Sequence, residues 1–119
     1  MLTDTKKAFL AGAAVPAYRL VKFGADDDTA IVAAAPTDLI IGTSEAFDVT
    51  SGDYFDVFLG DMGKVKLGTG GIVRGQPITS DATGQGVLAG TAGNRYVGFA
   101  LRSGVAGDIV PFIYSPGVL

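Results

Sequence analysis

Apolar residues along this chain fall in short clusters, and Gly, Pro and Asp break them every 8 to 12 residues. β-Branched and aromatic side chains concentrate inside the clusters. That spacing predicts an all-β domain, a compact barrel or sandwich of short strands. The predicted strands cover 18–23, 30–34, 39–43, 54–59, 64–67, 86–89, 96–101 and 109–114. Lys64, Val65, Lys66 and Leu67 alternate, which puts Val65 and Leu67 on a buried face. Within 54–59, Phe55, Val57 and Leu59 share one face and Asp56 takes the other. The one helical candidate is 4–11, with Asp4 as a possible N-cap and with Gly12 and Pro16 to stop it. An extended N-terminal arm over residues 1–14, ahead of a single β domain over 15–119, accounts for the same residues.

The chain also resembles itself. At an offset of 55, Arg19 falls on Arg74, Asp26 on Asp81 and Val32 on Val87. Ser51-Gly52-Asp53-Tyr54 falls on Ala106-Gly107-Asp108-Ile109, and one inserted residue brings Ile40-Ile41-Gly42 onto Tyr96-Val97-Gly98. Two pseudo-repeats follow, about 17–59 and 73–114. Neither has enough strands to bury a face alone, so the halves are expected to pair.

Composition narrows the chemistry. The 119 residues are 48% hydrophobic and 18% charged, which excludes disorder, and their number allows one domain. Cys, His and Trp are all absent. There is no thiolate nucleophile, no imidazole base near neutral pH and no disulfide. The net charge of −3 is a poor footprint for nucleic acid. No apolar run reaches membrane-spanning length, and Pro16 cuts short the apolar stretch that imitates a secretory signal.

The remaining candidates for chemistry read more simply as turns. Asp26-Asp27-Asp28 could hold a hard cation, but it lacks the Gly and Glu of a calcium loop, and Asp is itself a turn former. Gly60-Asp61-Met62-Gly63-Lys64 has two residues between its glycines where a phosphate loop needs four, and no helix follows the Gly-rich stretches around Gly70 and Gly84. The serines have no histidine partner, and Asp53 and Asp56, three apart on a strand, face opposite ways. No catalytic residue, cofactor or small-molecule substrate is expected.

Several blocks, in their order, carry a resemblance. They are Val15-Pro16-Ala17-Tyr18-Arg19-Leu20-Val21-Lys22-Phe23, Ile40-Ile41-Gly42-Thr43-Ser44 and Ser51-Gly52-Asp53. Gly70 through Asp81 follows, containing Arg74-Gly75-Gln76-Pro77-Ile78-Thr79-Ser80, then Tyr96-Val97-Gly98-Phe99-Ala100-Leu101 and Ala106-Gly107-Asp108-Ile109-Val110 with Pro116-Gly117. Over residues 15–117 the chain resembles the capsid cement, or head decoration, proteins of tailed phages. That resemblance implies a compact β fold and a non-enzymatic role on the outside of an assembled head. It further implies a homotrimer at local three-fold positions, with the major capsid protein as partner and the head stabilised against internal pressure. Such a protein is made in the host cytoplasm and ends on the virion exterior. A head-fibre or receptor-binding module is the other virion reading, and a small metal-dependent enzyme built on 26–28 is the distant one.

The N-terminal arm is the expected contact with capsid or neighbouring subunit. Residues 1–22 carry four basic residues and one acidic, so Lys6 and Lys7 sit in a positive segment of a negative chain. Phe9 and Leu10 beside them are large and apolar with no predicted strand to join, and such a pair is expected to dock.

Overall fold

The computed structural model describes residues 5–60 and 62–119, and among them it is all-β. Ten strands follow in chain order: β1 (Lys6–Ala11), β2 (Leu20–Phe23), β3 (Thr29–Val32), β4 (Gly42–Thr43), β5 (Tyr54–Phe58), β6 (Met62–Lys66), β7 (Pro77–Ser80), β8 (Gly86–Leu88), β9 (Arg95–Ala100) and β10 (Ile109–Val118). The first five close into a barrel in the order β1-β3-β2-β4-β5, and the second five form a sheet in the order β6-β10-β9-β7-β8.

Two cores result, divided by β2 and by the segment that leads into β4. Phe9, Ala11, Val15, Val21, Ala30, Ile41, Val49, Phe55 and Val57 fill the barrel. Leu20, Ala33 and Ile40 instead join Val65, Leu67, Ile72, Ile78, Val97, Val110 and Phe112 in the second core. Consecutive residues Leu20 and Val21 are therefore both 0% exposed, one on each side of the shared wall. Ile40 and Ile41 divide the same way. A strand covered on both faces reads as an unbroken apolar run, which is how both pairs stand in the sequence.

The helix or arm expected over the first residues is corrected by the pairing of Lys6–Ala11. This segment is β1, antiparallel to β5 from Lys6 opposite Phe58 to Leu10 opposite Tyr54, and parallel to β3 at Leu10 and Ala11. Phe9 points into the barrel opposite Phe55 and is 3% exposed. The backbone of β1 thus has two neighbours to satisfy its amides, and its apolar face a core to fill; a free arm would leave both unmet. Asp4, the proposed cap, lies outside the described residues.

The two halves share a strand order. Read from β1 through its β5 partner, the barrel runs β1-β5-β4-β2-β3, and the sheet runs β6-β10-β9-β7-β8. Where β1 and β3 pair in parallel, Leu67 and Gly86 make a single parallel bridge. Turn bonds correspond as well. Gly52 N–H donates to Ala11 O at 2.8 Å and Gly107 N–H to Leu67 O at 2.9 Å, and these glycines have φ of 93° and 91°. Asp53 N–H reaches Thr50 O, and Asp108 N–H reaches Val105 O, both at 3.0 Å. The correspondence begins at β1 and β6, ahead of the repeat bounds that the sequence comparison delivers.

Candidate functional site

Three surface features stand out once the cores are assigned. The first is the outer face of β1 and β5, on which Lys6 and Leu10 of the four expected contact residues lie. Lys6 points outward, its Nζ 4.0 Å from Asp56 Oδ2 and 5.3 Å from the Phe58 ring centroid. Lys7 is exposed and lays its Nζ 4.2 Å from the Phe9 ring centroid. Leu10 is half-buried beside Tyr54, which is 72% exposed. Phe9 is enclosed and cannot dock onto another surface. The structure thus gathers Lys6, Lys7 and Leu10 on one strand and withdraws Phe9 from the expected set.

The second feature is the outer face of the second sheet. Opposed residues across β6, β10, β9 and β7 form the row Met62, Ile113, Phe99, Pro77. Met62 is 53% and Ile113 48% exposed, and Ile109, outward on the same strand, is 47% exposed. Cross-strand neighbours on one face pack as a unit, so this is a continuous apolar stripe. Lys64 opposite Pro111 and Lys66 opposite Ile109 border it. Charge is unevenly shared between the halves. Residues 1–60 hold nine acidic and four basic residues, whereas 61–119 hold three acidic and five basic.

The third feature is a cleft of about 380 Å³ at the seam of the two halves. Tyr18, Phe47, Phe58 and Met62 supply its apolar walls, and Glu45 and Lys64 its charges. Thr43 and Ser44 lie in its lining and are 1% and 2% exposed. The Ser44 hydroxyl donates to Pro16 O at 2.8 Å and accepts from Arg19 N–H at 2.9 Å, so it is committed to the fold. Sequence reasoning missed this cleft because its walls come from β4 and the loop after it, from β5 and β6, and from the loop before β2. Only the three-dimensional closure of β6 against the barrel creates it.

The aspartates act as turn residues. Asp26 Oδ1 accepts from Asp28 N–H at 3.1 Å and from the Thr29 hydroxyl at 2.7 Å. The Thr29 bond, followed by that of Asp28, holds the Asp26 carboxyl below its ordinary range. Asp81 builds the corresponding turn in the second half, accepting from Thr83 N–H and Gln85 N–H at 2.9 Å each. No cluster of three metal-ligating side chains occurs among the described residues. Asp38 has a different task. Burial, the largest influence on its carboxyl, raises the pKa; the Ala34 and Ala35 N–H bonds and Lys22 at 3.0 Å outweigh it and hold the group low. This pins the loop whose Pro36 carbonyl accepts from Arg95 N–H at 2.7 Å, tying barrel to sheet.

No family model and no curated protein matches this chain. Among solved structures, the chain is similar to the N base of head fiber gp8.5 of bacteriophage phi29, with 22% identity over 95% of both chains and a TM-score of 0.74, and the two therefore share one all-β fold.

Proposed function

We propose that this chain is a structural protein of a tailed-phage head that binds the outer surface of the assembled capsid and stabilises it. One observation carries the reading: the fold is similar, across nearly the whole of both chains, to a protein described as the base of a head fibre. The sequence resemblance to cement proteins over residues 15–117 supports it independently. So does the absence of His and Cys, which leaves the chain few groups for catalysis near neutral pH. The partners in this reading are the major capsid protein and two further copies of the chain. A homotrimer gives the Met62, Ile113 and Phe99 row a surface to pack on, because an isolated domain gains little from a solvent-facing apolar stripe.

The mechanism is mass action. A protein that binds only the mature lattice stabilises it by about 2.7 kcal/mol per site at a free concentration a hundred times Kd. Purified chain mixed with expanded empty heads that lack it should co-sediment with them and raise their rupture temperature. Heads that sediment bare, with unchanged rupture temperature, would overturn the proposal.

A second reading is the base of a projecting fibre, favoured by the description of the phi29 structure. Both readings place the chain on the head. They differ in what stands above it: a compact knob for decoration, a rod for a fibre.

A further inference from the structure

The two halves of the fold act as controls for one another. Tyr18 precedes β2 and Gly75 precedes β7, in equivalent turns: Tyr18 N–H donates to Glu45 O at 3.0 Å, and Gly75 N–H to Ala100 O at 2.7 Å. Both residues are left-handed, with φ of 56° for Tyr18 and 89° for Gly75. Glycine takes that conformation freely, while a side chain crowds the following carbonyl. Tyr18 is the sole non-glycine residue with positive φ among the described residues. The second half shows that this turn does not require tyrosine. Backbone strain of this kind concentrates where a side chain must be held for a ligand.

Tyr18 is held against the cleft at the seam. Tyr18 lines it together with Phe47 and Phe58 and with Met62, Gly63 and Lys64 of β6. Phe47 is 55% exposed, so its ring is open to a partner that enters the cleft. Among its polar groups Ser44 is committed and Glu45 Oε2 already accepts from Asp56 N–H at 3.1 Å. The aromatic walls suit a large apolar side chain. Lys64 on the rim, with Lys66 outward two residues on, has no ion-pair partner among the described residues.

From this we infer that the cleft is a recognition pocket for a protein loop carrying a large apolar side chain beside a carboxylate. The side chain enters between Tyr18, Phe47 and Phe58, and the carboxylate meets Lys64. Buried aromatic anchors of this type dominate binding at protein interfaces. The inference rests on the head-binding function, since the loop would belong to the capsid shell.

The probe is the capped peptide Gly-Phe-Asp-Gly, titrated into the full-length chain and followed by amide chemical shifts. Shifts should gather at Tyr18, Glu45, Phe47 and Gly63. Gly-Phe-Lys-Gly should bind at least threefold more weakly, and Gly-Ala-Asp-Gly should not register. Tyr18→Asn tolerates the left-handed turn and should keep or raise the melting temperature while weakening the peptide tenfold or more. Phe47→Ala, at an exposed position, provides the same loss should Tyr18→Asn fail to fold. Shifts scattered over the surface, equal response to the three peptides, undiminished binding by both variants, or preferential binding of glucose overturn the pocket. If the peptide registers but the variants that lose it still coat heads at wild-type occupancy, the pocket falls and the head-binding function stands.

Discussion

Replacing Phe9 with Ala separates a structural β1 from a free arm more sharply than any deletion. In the structure the Phe9 ring is 3% exposed, lies edge-on to Phe23 at 6.3 Å between centroids, and carries Lys7 Nζ on its face. Truncating an enclosed Phe removes its transfer free energy and leaves a cavity, a loss of about 3–5 kcal/mol. Unfolding entropy of roughly 2.1 cal/mol/K per residue makes each kcal/mol worth about 4 °C in a chain of this length. The melting temperature should therefore fall by about 12–20 °C, read by circular dichroism at 218 nm or by urea titration with an unchanged slope. Lys7→Ala, which removes an exposed side chain next door, serves as the control and should shift it by roughly 2 °C at most. A Phe9→Ala protein within about 4 °C of wild type would refute the reasoning, because β1 would then contribute nothing to the barrel. Deleting residues 1–11 should abolish folding altogether, since it opens the barrel and bares the edges of β3 and β5.

Two further outcomes follow from particular contacts. A Cβ at Gly42 overlaps the Phe58 carbonyl and one at Gly98 overlaps the Ile113 carbonyl, so Gly42→Ala and Gly98→Ala should each cost about 1–3 kcal/mol or more in urea unfolding. Asp38, held below its ordinary pKa in the folded chain, binds fewer protons there than when unfolded; its contribution is complete above about pH 4 and fades as pH falls through the lower folded value. Asp38→Asn should thus lose about 1 kcal/mol at pH 7, and its stability curve should converge on wild type toward pH 2.

Much of this architecture was legible in the order of side chains, and the exceptions have physical causes. The alternation of Val65 and Leu67 with Lys64 and Lys66, and of Phe55 and Val57 with Asp56, declares half-buried strands, and Val57, Val65 and Leu67 are all 0% exposed. β1 was hidden because Lys6, Ala8 and Leu10 on its outer face are good helix formers; its pairing with β5, some fifty residues away, overrides that local preference. β7 was hidden by Pro77, which a strand accepts at its first residue, and by Thr79 and Ser80, polar yet 1% and 0% exposed. β10 runs to Val118 through Pro116 because register shifts between Tyr114 and Gly117. Nothing in Pro16-Ala17-Tyr18-Arg19 announces a left-handed tyrosine. Only its counterpart Gly75 in the other half makes Tyr18 conspicuous.

The most direct test of the head-surface function is a cryo-electron microscopy comparison of purified heads with and without the chain. The account predicts extra density only on the outside of heads that carry the chain, at local three-fold positions. Three copies of the barrel-and-sheet fold should fit it, with the Met62, Ile113 and Phe99 row at a contact between copies or with the shell. Density inside the shell, or identical maps from both preparations, would contradict the account.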